Sequence, residues 1–277
     1  MHGGCADRTR TRRTRRAQSV AVTLGAALLL FPAGLLAGIL GSTAGLASLA
    51  SYPALLLAGL SPVAANVTNT VALLGSSVGS ILGSRVELRG QGPAVRRWLP
   101  WAVVSGAAGA GLLLVTPPGS FELVVPFLIA GASVLLICAP RIRTRAAAKR
   151  AAAGLDEGHH RSMARLTAPL VAAWIYSGYF GAAAGVVVLA VLLAGTDSSL
   201  PRANALKNLV LGGSNGIAAI TFAIFADVHW TAVVTLGLGC AVGGWIGPAI
   251  VRRVSPAVLR WLIGLAGIGL AIKLWFG

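Results

Sequence analysis

Acidic residues are scarce in this sequence: seven Asp and Glu in 277 residues, against 23 Lys and Arg, with charged residues making up only 11% of the chain. So little charge cannot cover the surface of a soluble domain of this length. The acids (Asp7, Glu87, Glu122, Asp156, Glu157, Asp197 and Asp227) all fall in polar stretches or at the edges of apolar runs. No carboxylate therefore sits deep in a span to relay protons, as pumps often arrange. Cysteine is also thin. Cys5, Cys138 and Cys240 stand far apart, with no C-x-x-C pair and no His at ligand spacing, which excludes a legible zinc site or disulfide framework. His2, His159 and His160 lie in polar regions without ligating company, so neither a metal nor a cofactor is expected. Aromatics are 6% of the chain. With no aromatic-rich basic domain, the net charge of +16 does not indicate nucleic acid as a partner.

What is present is apolar sequence. Apolar residues make up 56% of the chain, the mean hydropathy is +0.81, and runs of about 18 to 25 apolar residues recur, each long enough to cross a hydrocarbon core of roughly 30 Å. They lie over 18–40, 44–60, 63–84, 98–116, 121–140, 169–194, 203–225, 229–250 and 256–276. The 36 glycines suit close approach of membrane helices. Basic residues cluster in the tail (Arg8 to Arg16), between Arg85 and Arg97, between Arg141 and Arg165, and between Arg252 and Arg260. Basic clusters between apolar spans are the positive-inside pattern, so the expected setting is a lipid bilayer, the bacterial cytoplasmic membrane, with a cytoplasmic N-terminus. The arginines of Thr11–Arg16 ahead of an apolar run imitate a secretory signal, but no small-x-small cleavage site follows, and a retained first helix is expected.

The fold class read from this pattern is an all-α polytopic membrane protein of about eight transmembrane helices. A basic tail (1–17) precedes a first membrane repeat (18–140). A basic linker (141–168) then leads to a second repeat (169–277). The duplication is read from two pairs of motifs. Gly38, Gly41 and Gly45 match Gly178, Gly181 and Gly185 in spacing, and Asn66-Val-Thr-Asn69 is echoed by Asn204-Ala-Leu-Lys-Asn208, at an offset of about 140 residues. Because 18–84 holds three apolar segments between basic regions, one of them, around 41–60, is expected to be re-entrant or a half-helix, with a counterpart around 181–195. Matching Gly-interrupted segments in two halves point to a transporter's binding site.

Several residues could carry the chemistry. Each glycine trio lies on one helical face, so it either packs helices closely or bares backbone N–H groups to an anion. Gly41, Gly45, Gly181 and Gly185 are the candidates for the second role. Asn66, Thr68 and Asn69 follow Ser61-Pro62, while Lys207, Asn208 and Asn215 follow Pro201. Such groups in hydrocarbon face other helices or a wet cavity. Lys207 is either the cation of an anion site or an anchor that snorkels to the interface. Gly212-Gly-Ser214-Asn-Gly216 formally matches G-x-S-x-G, with Asp227 and His229 nearby. A nucleophile elbow, however, needs a strand-to-helix turn, and this motif sits inside an apolar run.

These residues resemble the sulfite exporter TauE/SafE family of bacterial membrane proteins. The likeness rests on Gly38-x-x-Gly41-x-x-x-Gly45 with Pro53 and Leu55, on Ala65-Asn-x-Thr68-Asn69, and on Tyr176-Ser-Gly178-Tyr-Phe-Gly181-Ala-Ala-Ala-Gly185. Ala203, Lys207-Asn208, Asn215, Ala218 and Phe222 extend it. It covers roughly residues 20 to 275. The chain departs from the family at Ser42, Thr43 and Ala44 and at Ala182 to Ala184, where glycine is common. The resemblance implies export or exchange of sulfite or a related small oxyanion. The expected protein is thus not an enzyme but a secondary transporter of a small anion, open to homo-oligomerisation. A membrane-embedded serine hydrolase using Ser214, or a non-transporting membrane partner protein docking through the basic linker, are the alternatives.

Overall fold

A computed structural model describes residues 24–152, 163–196 and 199–251, with positions 268, 272 and 275. The basic tail 1–17 lies outside the described residues, as do Asp156, Glu157, His159 and His160 of the linker, Asp197, and nearly all of the segment 256–276. Among the described residues every regular element is a helix. Bilayer hydrocarbon offers backbone groups no water, and a helix satisfies them within one segment.

The helices are α1 (Leu24–Ala44), α2 (Ser48–Leu57), α3 (Pro62–Gly83), α4 (Arg85–Leu88) and α5 (Gly92–Val115). They are followed by α6 (Pro118–Ala152), α7 (Met163–Tyr179), α8 (Ala184–Gly195), α9 (Leu200–Phe225) and α10 (Trp230–Val251). Three stretches, Gly92–Val115, Leu200–Phe225 and Trp230–Gly247, are long and apolar enough to cross a membrane, and shorter apolar helices accompany them. The chain is a multi-pass membrane protein. Two of the short helices, α2 with 10 residues and α8 with 12, reach only about 15 and 18 Å at 1.5 Å per residue.

One order of elements occurs twice. A helix (α1 or α7) runs into a glycine turn, a short helix follows (α2 or α8), and a long helix (α3 or α9) then starts with Ser at the N-cap position and Pro in the first turn. Ser61 accepts a hydrogen bond from Ala64 N, with Pro62 in the first turn of α3. At α9 Ser199 is likewise the N-cap residue, though without a side-chain cap bond, and Pro201 follows one position later, still in the first turn. Proline suits the first turn because its missing N–H would have had no partner there.

The two halves do not pack as separate blocks. α10 lies along α1 and α3 of the first half, while α5 lies along α7 and α9 of the second, and α3 meets α9 between these two groups. Small residues make both contacts. A Cβ added at Gly34 or Gly38 would strike the α10 backbone at Leu236 or Cys240. One added at Gly106 or Gly178 would strike the backbone of Ser214 or Gly106 respectively. Gly38 and Gly178, read from sequence as either packing or bared glycines, lie inside α1 and α7 and pack.

Candidate functional site

The helix breaks form the centre of the site. α1 ends at Ala44 and Gly45 turns the chain with φ +76°; after α7, Gly181 does so with φ +78° and Ala183 with φ +60°. Glycine takes that left-handed conformation without steric cost. The breaks touch each other: a Cβ on Gly45 would overlap Gly185 Cα, and one on Gly185 would overlap Gly45 Cα.

Each break leaves a carbonyl end and an N–H end. The carbonyl ends are engaged by donors from the opposite half. Lys207 Nζ donates to Gly41 O at 3.2 Å, and Asn204 and Asn208 donate through Nδ2 to Ser42 O at 2.8 and 3.0 Å. In the reciprocal sense, Asn66 Nδ2 donates to Tyr179 O, at the end of α7, at 2.8 Å. Donors and a cation there suit the partial negative charge of a helix C-terminus. The N–H ends, by contrast, receive no side chain of their own. The residues preceding α2 and α8 are Ala47 and Ala183, and neither makes a side-chain cap bond. Backbone carbonyls take several first-turn N–H groups, those of Leu49 and Ala50 in α2 and of Ala184 and Val186 in α8. This leaves the N–H groups of Ser48 and Gly185, both residues of the cavity wall.

Both N-termini open on one cavity of about 60 Å³, whose wall includes Gly41, Gly45, Gly181, Gly185, Asn208 and Asn215. At 10–15 Å³ for a water-sized probe, this is room for roughly four to six waters. Ser177 Oγ donates to Asn215 Oδ1 at 2.8 Å, which takes one lone pair of the amide oxygen and leaves both Asn215 N–H donors unused by that bond. Phe180 also lines it and meets Tyr52 edge-on at 5.3 Å and Phe121 at 6.1 Å.

Four of the sequence-predicted residues stand outside this wall. Asn66 is bonded to Tyr179 O as described; Asn69 Nδ2 donates to Ser48 Oγ at 3.2 Å; Thr68 Oγ1 accepts from His229 N at 3.2 Å, just before α10. Lys207 is fully buried and directed to a helix end, so its ammonium does not snorkel to an interface. It acts on the cavity through Gly41. Other wall residues escape a reading made by motif: Ser48, Thr70, Ser76, Ser77 and Ser80. The signal for four of them is periodic, since 70, 73, 76/77 and 80 share one face of α3.

Ser214 sits within the continuous helix α9, fully buried, and donates to Trp174 O at 3.3 Å. Among the described residues no hydrogen bond joins it to Asp227 or His229. No cluster of His, Cys, Asp or Glu suited to a metal occurs among the described residues.

The sulfite exporter TauE/SafE family model matches residues 30–274, and so takes in both breaks, both donor sets and the whole cavity wall. The chain belongs to the TauE/SafE family. Its relatives include a probable membrane transporter protein of Sinorhizobium, 27% identical over 256 residues, covering 88% of this chain and 90% of that protein. A probable membrane transporter protein of Haemophilus influenzae is 23% identical over 258 residues, covering 90% and 96%. The probable membrane transporter protein YfcA of Escherichia coli is 24% identical over 254 residues, covering 89% and 88%. No solved structure matches this TauE/SafE chain. Membership places the protein among membrane transporters.

Proposed function

We propose that this protein is a secondary transporter that exports or exchanges a small anion, sulfite or a related sulfur oxyanion, across the bacterial cytoplasmic membrane. The observation that carries the reading is the meeting of two uncapped helix N-termini, those of α2 and α8, on one small cavity. Each N-terminus carries about half a positive charge and directs N–H groups at whatever occupies the space. Asn208, Asn215 and the serines of the wall add polar contacts, and Gly41, Gly45, Gly181 and Gly185 let backbone form the wall. Asn66, Asn69 and Lys207 hold the surrounding helix ends and Thr68 the entry to α10. The family description supports the sulfur oxyanion, and the relatives' names support transport.

The same reading includes about eight crossings, with α2 and α8 as half-helices, and a cytoplasmic N-terminus set by the basic loops. The repeats 18–140 and 169–277 are joined by the linker 141–168, and the order helix, glycine turn, short helix, Pro-led helix supports that duplication. Rocking would occur between two exchanged bundles, α1–α3–α10 and α5–α7–α9, rather than between the two halves of the sequence. A Ser214 hydrolase gains nothing from a serine bonded inside a helix.

Uptake of radiolabelled sulfite into proteoliposomes, against a panel of small oxyanions and with and without a proton gradient, tests the proposal. Saturable sulfite uptake is the expected result. Folded protein that carries no oxyanion would sink it.

A further inference from the structure

We infer that the cavity takes its oxyanion in the singly charged, hydrogen-bearing form (hydrogensulfite, not sulfite) and excludes doubly charged oxyanions; this rests on the anion-carrier reading above. Charge is the first ground. Among the described residues, none that lines the cavity is ionisable. On the six helices that wall it, the ionisable residues with described side chains are Tyr52, Tyr176, Tyr179, Arg202 and Lys207, and none of these is among the lining residues. The two helix N-termini contribute about half a positive unit each, and the two carbonyl ends of the same breaks about half a negative unit each. The net charge beside the cavity is therefore that of the Lys207 ammonium, held 3.2 Å from Gly41 O, and it matches one negative charge. A second charge would be buried without a counter-charge, and an uncompensated buried charge is strongly disfavoured.

Hydrogen bonding is the second, independent ground. Three of the four hydroxyls on the α3 side of the wall, those of Thr70, Ser77 and Ser80 but not Ser76, have already used their protons. Thr70 Oγ1 donates to Asn66 O at 3.0 Å, Ser77 Oγ to Leu73 O at 3.3 Å and Ser80 Oγ to Ser76 O at 2.6 Å. Each is left with lone pairs. Facing it, the helix N-termini and the Asn215 amide are donors. The cavity thus has a donor side and an acceptor side. A protonated oxyanion has both kinds of group: its bare oxygens accept from the N-termini, and its own O–H donates to the α3 hydroxyls. A fully deprotonated dianion only accepts, and would set its lone pairs against those of α3.

The test uses the full chain in proteoliposomes at a series of pH values spanning the second ionisation of sulfite, which lies near neutrality. Radiolabelled sulfite is the substrate; sulfate (two charges throughout) and methanesulfonate (one charge throughout) are competitors. The expected KM for total sulfite rises about ten-fold per pH unit above that ionisation, while inhibition by methanesulfonate changes less than about two-fold. Sulfate should compete at least about thirty-fold less well than methanesulfonate. A sulfite KM that stays flat or falls as pH rises would overturn the inference and leave the carrier intact. So would sulfate competing as well as methanesulfonate, or methanesulfonate weakening in parallel with sulfite. Absence of any oxyanion transport would overturn the carrier reading itself.

Discussion

Lys207 brings a full charge into the buried interior behind the cavity wall, and the structure directs it to a helix end, with Nζ 3.2 Å from Gly41 O. A hydrogen bond from a charged group contributes about 1.5–3 kcal/mol. Lys207→Met keeps the length and removes the donor. It should lower the thermal midpoint in detergent and cut sulfite uptake by roughly ten-fold or more, while the protein still inserts. Asn215→Asp tests the cavity directly. It retains an acceptor for Ser177 Oγ and adds a negative charge where the anion binds. At about 4 Å and an effective dielectric near 20, that repulsion is about 4 kcal/mol, so uptake at alkaline pH should fall at least about a hundred-fold, read as kcat/KM. Two glycines make a contrasting pair. Gly185→Ala places a methyl against Gly45 Cα and should abolish transport. Gly59→Ala, at φ +91° with nothing within 4 Å of the added atom, should lower stability by about 1–2 kcal/mol and leave transport near normal.

At the scale of elements, the short helices α2 and α8 are defined by where they start. An N-terminus without its own cap is less stable than one with Ser, Asp or Asn, and leaving Ala47 and Ala183 at these positions keeps the Ser48 and Gly185 N–H groups for a ligand. Ala47→Asp, on the cavity wall, supplies an internal anion at the α2 N-terminus. The thermal midpoint should hold or rise, since such a charge is worth about 0.3–1 kcal/mol. Sulfite uptake should fall by more than ten-fold. Falling together would indicate simple misfolding instead. The glycine trios were ambiguous in sequence because helical packing and a helix break both favour glycine. The structure divides the roles by position, with Gly38 and Gly178 inside helices and Gly45 and Gly181 in left-handed turns.

At the scale of the whole molecule, α3 and α9 form the seam between the exchanged bundles. Ser77 Cβ lies 3.3 Å from the position a Cβ would take on Gly212, close to the span a disulfide needs. In a background lacking Cys5, Cys138 and Cys240, the pair Ser77→Cys and Gly212→Cys should cross-link on oxidation. Transport should then stop, and recover on reduction. Unchanged transport in fully cross-linked protein would mean that the bundles do not separate at this seam.

Properties local to the chain were legible without coordinates. Hydropathy set the membrane class, Ser61-Pro62 and Pro201 marked helix starts, and the motifs around Gly41 and Gly181 marked the breaks and the family. Gly41, Gly45, Gly181, Gly185, Asn208 and Asn215, all chosen from sequence, lie on the cavity. Tertiary structure alone decided which side chains face that space and which hold its walls. Asn204, Lys207 and Asn208 reach carbonyls more than 160 residues earlier, α10 crosses to the first half, and α5 crosses to the second. The physical reason is that an amide or an ammonium in hydrocarbon must find a partner. Its chemistry states that need, but which partner meets it depends on which helix packing brings near.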